Sequence, residues 1–224
     1  MGLPCRRCGR RYDAALFAFG RTFHCACGER VARAPRLRSA HDPCEPRFLA
    51  DAMLGRLARW LRVAGYDTRH EAGIRDADLA RAALREGRLI LTRDRSLPEE
   101  WSLEDVLVLE SQDALGLLGE VGRRFRLDWR RRAFSRCSRC NARVEPVARA
   151  AVADRVPQGV LARGLALAGC PECGRVYWEG SHTERMRRAL AGCLEPGPAP
   201  SPRSTRAGTA PRRPVPGCAR AGRR

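Results

Sequence analysis

The chain has 224 residues, of which 44% are hydrophobic and 30% charged, enough to build a core and too many apolar side chains for a wholly disordered chain. Its 43 basic residues, all arginine, face 25 acidic ones for a net charge of +18, which makes a polyanion the first partner to consider. No apolar run approaches a membrane span and Met1 to Arg7 lacks the apolar segment of an export signal, so the expected location is the cytosol, with no membrane partner.

Residues 1–46 carry nine arginines against four acids, a surplus of +5. They contain Cys5-x-x-Cys8 and, sixteen residues on, Cys25-x-Cys27. In a reducing compartment, close cysteine pairs favour metal over disulfides, and four thiolates suit tetrahedral Zn²⁺. The stretch from Arg11 to Phe23 suits a short β-hairpin between the pairs, and His24 is an alternative fourth ligand.

Residues 47–133 are nearly neutral, with seventeen arginines and fifteen acids. Phe48 to Ala50 reads as a strand ending at Asp51. A helix follows from Met53 to Ala64, closed by Gly65, and Tyr66 to His70 suits a second strand. Asp76 opens a helix through Glu86 with Gly87 at its end; Leu89 to Thr92 and Val106 to Leu109 are further strands; Gln112 to Phe125 is a further helix. Alternating strands and helices imply an α/β fold with a parallel sheet, whose ligands gather beyond the C-terminal strand ends. Asp51 and Asp94 fall there, and Asp76 or Asp78 adds a third carboxylate at the start of the second helix. Such a set calls for Mg²⁺ or Mn²⁺, which prefer oxygen ligands and can activate water for phosphodiester cleavage. Each aspartate is also a plausible cap or turn anchor, and Asp113 reads as a helix cap. Arg56, Arg59 and Arg62 recur every three residues and either receive phosphates or form a solvated helix face.

Residues 134–193 carry ten arginines and five acids. Here Cys137-x-x-Cys140 and Cys170-x-x-Cys173, separated by 29 residues, form a zinc-ribbon pattern with no ligand position left open, hence a structural site. Ser181 and Glu184 read as a capping box for a terminal helix; Trp178 either stacks a base or packs the ribbon; His182 is a candidate RNA contact or an ordinary surface histidine. Cys44, Cys193 and Cys218 have no assigned role. From residue 194 the chain holds seven prolines, four glycines and seven arginines in 31 residues and reads as a disordered basic tail.

The string from Phe48 through Asp51, Gly55-Arg-Leu-Ala-Arg-Trp60 and Gly65-Tyr-Asp67-Thr is followed by Asp76, by Ile90-Leu-Thr-Arg-Asp94, and by the second cysteine module with Tyr177-Trp-Glu-Gly-Ser-His182. This ordered combination resembles the PIN-like ribonuclease family named for the C-terminal part of the Mut-seven exonuclease, over residues 47 to about 192. The resemblance implies a three-layer α/β/α nuclease domain joined to a zinc ribbon, and a metal role for Asp51, Asp76 and Asp94. The N-terminal cysteine module departs from it.

The expectation is therefore four parts: a zinc-binding module at 1–46, a PIN-like domain at 47–133, a zinc ribbon and helix at 134–193, and the tail at 194–224. The expected activity is metal-dependent (endo)ribonucleolytic hydrolysis of single-stranded or structured RNA, with two structural zinc ions and no obligate protein partner. The alternative is a non-catalytic RNA- or ribosome-binding protein on a PIN-like scaffold.

Overall fold

The computed structural model describes residues 2–5, 7–13, 23–31, 37–42 and 44–194. The expected tail from 195, Cys218, and positions 14–22 of the expected first hairpin lie outside them. The centre is a four-stranded parallel sheet in the order β6 (Thr68–His70), β5 (Phe48–Ala50), β7 (Leu89–Thr92), β8 (Val106–Val108), as the α/β expectation requires. Between the strands run α1 (Gly55–Val63), α2 (Asp76–Glu86) and α3 (Leu97–Glu100), and α4 (Ala114–Phe125) follows β8.

The period-two pleat sorts the side chains into two cores. Phe48, Ala50, Leu89 and Leu91 point to one face and pack with Leu57, Ala58 and Leu61 of α1 and Leu117, Leu118 and Val121 of α4. Leu49 and Ile90 point to the other and meet Leu79, Ala80 and Ala83 of α2 and Leu97 of α3. Strands buried on both faces explain the continuous apolar runs Phe-Leu-Ala and Leu-Ile-Leu. The first connection steps from β5 to β6; the second crosses back over β5 to β7. Strand order reverses between β5 and β7, which opens a crevice at their C-terminal ends.

Several boundaries differ from the sequence reading. A 3-10 turn at Ala52–Leu54 precedes α1, because the Asp51 side chain accepts from Ala52 N–H and tightens the entry. Asp76 lies inside the first turn of α2, whose N-cap is Arg75. Gly65 ends α1 with φ +91°, and a Cβ there would meet the Arg132 carbonyl oxygen at 2.0 Å, so both backbone angle and space require glycine.

Beyond the sheet, β9 (Glu145–Pro146), β10 (Leu167–Gly169) and β11 (Val176–Trp178) form a three-stranded antiparallel ribbon, with α5 (Gln158–Ala162) before β10 and α6 (Ser181–Leu194) after β11. Glu184 N–H donates to the Gly180 carbonyl, so the cap position falls on Gly180 and Ser181, the expected cap, is the first residue of α6; the Thr183 hydroxyl donates to the Trp178 carbonyl. α6 packs against α4, and its Leu190 is fully buried in the α1/α4 core. α6 thus completes the hydrophobic core of the sheet domain, while the ribbon strands keep a small core of their own around Val152, Val156 and Leu167.

At the N-terminus, β1 (Gly2–Pro4) pairs with β2 (Arg11–Asp13), and β3 (Phe23–His24) with β4 (Arg30–Val31), both antiparallel. Each hairpin encloses a cysteine pair in its turn. Of the hairpin expected over Arg11 to Phe23, the described ends pair outward, Arg11–Asp13 with β1 and Phe23–His24 with β4; the stretch between them lies outside the described residues.

Candidate functional site

The crevice between β5 and β7 is lined by Asp51, immediately after Ala50, and by Thr92 and Asp94 at the end of β7. Asp51 is 5% exposed. Its Oδ1 accepts from Ala52 N–H at 2.6 Å and its Oδ2 from the Thr92 hydroxyl at 2.6 Å. The same Thr92 Oγ1 accepts from Asp94 N–H at 2.9 Å, so one hydroxyl ties the two strand ends together. Asp94 Oδ1 accepts from both Ser96 N–H (2.7 Å) and the Ser96 hydroxyl (2.8 Å), bonds that hold its carboxyl below the ordinary aspartate range. Asp51 has no ion-pair partner among the described residues, and burying a carboxylate without a counter-charge is unfavourable.

Asp76 is exposed in the first turn of α2, beyond the C-terminal end of β6 and at the same end of the sheet. Its rival Asp78 is held by Arg75 at 3.0 Å and Arg81 at 3.1 Å. Asp113 caps α4, accepting from Leu115 and Gly116 N–H at 3.0 Å each, as expected of it. Among the described residues, the groups of three or more His, Cys, Asp or Glu whose ligand atoms lie within 4.8 Å of one another are two cysteine quartets; the aspartates do not form such a group.

Those quartets are Cys5, Cys8, Cys25, Cys27 and Cys137, Cys140, Cys170, Cys173. Four thiolates about 2.3 Å from one zinc sit about 3.8 Å apart. The observed pairs fit: Cys5–Cys27 3.6 Å, Cys8–Cys25 3.4 Å, Cys137–Cys173 3.6 Å and Cys140–Cys170 3.3 Å between sulfurs. Cys27 fills the fourth place in the first quartet, and His24 stands exposed outside it. Both quartets share a tyrosine four residues after one pair, its hydroxyl donating to the first cysteine of the other: Tyr12 to Cys25 at 2.8 Å and Tyr177 to Cys137 at 3.0 Å. The Cys27 backbone N–H and the Tyr12 hydroxyl bring the Cys25 thiol down to about 6, which favours the thiolate a metal needs. The residues after the second cysteine of each pair, Gly9, Gly28, Asn141 and Gly174, all have positive φ.

Asn141 shows why one of those four is not glycine. Its Oδ1 accepts from Thr68 N–H at 3.0 Å on the edge strand β6, and its Nδ2 donates to Asp67 at 2.8 Å. Asp67 also receives Arg88 at 2.6 Å and lies near Arg47 and Arg136. Burial alone pushes the Asp67 carboxyl up, but Arg88 and Asn141 outweigh it and hold it low. Arg62, expected beside Arg56 and Arg59 as a phosphate ligand or solvated residue, is 8% exposed and donates to the carbonyls of Thr68 (2.8 Å) and Arg139 (2.6 Å). It fastens α1 to the ribbon; Arg56 and Arg59 remain exposed. Trp178 packs against the ribbon core of Val152, Val156 and Leu167, and His182 is exposed on the first turn of α6.

The sequence reading did not single out Thr92 or His70. A hydroxyl closing the apolar run Leu89–Leu91, two residues before Asp94, was the available signal for Thr92. His70 is paired in register with Ala50, and its Nε2–H donates to the Ala52 carbonyl at 3.0 Å, bracing the turn that follows Asp51. A Cβ on Gly55 would lie 3.1 Å from the His70 ring.

No helix among the described residues is long and apolar enough to cross a membrane. No curated protein and no solved structure matches the chain. The Mut7-C RNase domain model matches residues 46–190, spanning the switch-point crevice, the second cysteine quartet and α6 as far as Leu190. A ribonuclease family is thereby implied, with RNA as substrate: the chain belongs to the Mut7-C RNase domain family.

Proposed function

We propose that the protein hydrolyses RNA phosphodiester bonds at the β5/β7 crevice with a divalent ion, Mg²⁺ or Mn²⁺, held by Asp51 and Asp94, with Asp76 completing the acidic set. The observation that carries this reading is Asp51: a buried carboxylate with two short hydrogen bonds and no ion-pair partner among the described residues, at the point where strand order reverses. A hard cation is the chemical partner such an oxygen donor lacks. Because the aspartates are not gathered into a tight cage, the fit is to an ion that keeps part of its water shell and takes one or two carboxylates directly. When bound, that ion supplies an activated water and charge stabilisation at the phosphate.

The chain's own residues do the positioning. Thr92 fixes the carboxylate plane of Asp51, Ser96 keeps Asp94 ionised, and His70 braces the Ala52 turn. Asp76 is preferred to Asp78 because the latter is already neutralised by two arginines. The two cysteine quartets are assigned structural Zn²⁺, and Arg56 and Arg59, on the helix that leaves the crevice, are assigned to substrate phosphates, with weaker candidate contacts at Trp178 and His182. The cytosol remains the proposed location.

The test is cleavage of mixed RNA substrates with Mn²⁺, comparing wild type with Asp94→Asn and Asp51→Asn. Each variant should lose activity by roughly 100-fold or more while retaining its zinc. Equal cleavage by wild type and variants would refute the site, and an inert wild type that still binds RNA would support the scaffold alternative.

A further inference from the structure

A groove of about 400 Å³ lies between the edge strand β6, the loop after it and α2. The space is within the range of small-ligand clefts. Four arginines surround it, Arg69, Arg75, Arg81 and Arg85, against two carboxylates, Glu71 and Asp78. The side chains of Arg75, Arg81 and Arg85 are 81%, 71% and 71% exposed. Ile74 and Ala82 supply apolar surface at its base, Ile74 being half-buried against the α2/α3 core.

Asp78, Arg81, Ala82 and Arg85 are spaced three and four apart, so they share one face of α2. From Asp76 to Arg85 that helix advances about 14 Å. The row therefore leads away from Asp76, at the crevice end of the sheet, along the outer face of the domain. The ion pairs that hold these arginines, Asp78 with Arg75 and Arg81, and Glu86 with Arg85 at 3.4 Å, are solvent-exposed on the arginine side and so contribute little. A phosphate can replace such a carboxylate at small free-energy cost.

We propose that this groove binds a stretch of single-stranded RNA, its phosphates on Arg75, Arg81 and Arg85 and a base against Ile74. This deepens the ribonuclease reading, on which it rests for the direction of the strand toward the acidic crevice. An apolar base ringed by guanidinium groups suits a nucleotide better than a bare phosphate, which would gain nothing from Ile74. Asp78 acts as the internal competitor, pairing with Arg75 and Arg81 when RNA is absent.

The test is fluorescence anisotropy of a labelled 12-nucleotide oligoadenylate RNA with the full zinc-loaded chain and no added Mg²⁺ or Mn²⁺. The triple variant Arg75→Gln, Arg81→Gln, Arg85→Gln should weaken binding by roughly tenfold at moderate salt. It should also flatten the dependence of log K on log salt by about 2, the value for three lost single-strand phosphate contacts. A charge-matched triple at the C-terminal end of α4, across the sheet (Arg123→Gln and Arg124→Gln in its last turn, Arg126→Gln just after it), should change binding by less than about threefold. Asp78→Asn should tighten binding, and adenosine monophosphate should displace the RNA at lower concentration than inorganic phosphate.

Equal losses in the two triples, no loss in the groove triple, weaker binding by Asp78→Asn, or phosphate competing as well as the nucleotide would each overturn the proposal. The two readings fail separately: without the groove, RNA is still cleaved and the groove triple binds like wild type. Without the acidic site, nothing is cleaved but the groove triple still loses RNA.

Discussion

Thr92→Val keeps the branched shape of a fully buried side chain and removes only the hydroxyl that donates to Asp51 and accepts from Asp94 N–H. A hydrogen bond to a buried charged group contributes about 1.5–3 kcal/mol. Asp94 is half-buried, so water can satisfy its freed N–H and adds little to the loss. The expected destabilisation is therefore about 2–3 kcal/mol, or roughly 5–10 °C in Tm for a unit of this size. Thermal and urea unfolding without added Mg²⁺ or Mn²⁺ would measure it, in wild type and in an Asp51→Asn background. Removing the negative charge should reduce the effect of Thr92→Val to below about 1 kcal/mol, leaving a coupling of 1 kcal/mol or more. A change under about 0.5 kcal/mol, or the same loss in both backgrounds, would refute the claim that Thr92 serves the Asp51 carboxylate.

Asp67 has a depressed folded-state pKa, so its contribution is present above the unfolded aspartate value near 4 and lost as pH falls through the lower folded value. The stability gap between wild type and Asp67→Asn should hold at pH 5–7 and narrow below pH 4; a constant gap would show that Asp67 acts only through shape. Metal analysis should find about two zinc equivalents per chain, and about one in Cys140→Ser, whose quartet lacks a thiolate. Leu190→Ala should destabilise residues 47–133 together with α6 by about 2–5 kcal/mol, as for a fully buried leucine; hydrogen exchange that protects the sheet as in wild type would argue against a shared core.

Much of the fold was readable because it rests on local rules. Buried parallel strands announce themselves as short apolar runs, and the alternation of elements implies a parallel sheet with Asp51 and Asp94 beyond its strand ends; the strand order that sets β5 beside β7 comes from tertiary packing and has no local signal. The cysteine quartets were readable from spacing alone, since a metal knuckle needs two cysteines within one turn. Arg62 was misread for a geometric reason. Residues three apart advance 300° around a helix, so each step of the row Arg56, Arg59, Arg62 rotates by about 60°, and the third member faces the protein. Asn141 was invisible because its role combines a left-handed backbone with bonds to residues more than seventy positions away. Thr92 and His70 likewise act across strands, and no local pattern marks a residue whose partner is set by sheet register.

The burial of Leu190 sets an order on biosynthesis. Ribosomes release the strands and helices of residues 47–125 first, yet the core they enclose stays open on the α4 side until α6 has emerged. Between the two lie the four cysteines of the second quartet, so the whole quartet has left the ribosome before the sheet can be sealed. Nascent chains arrested before residue 181 should remain protease-sensitive throughout the sheet, which would keep an immature nuclease from acting on the RNA around it.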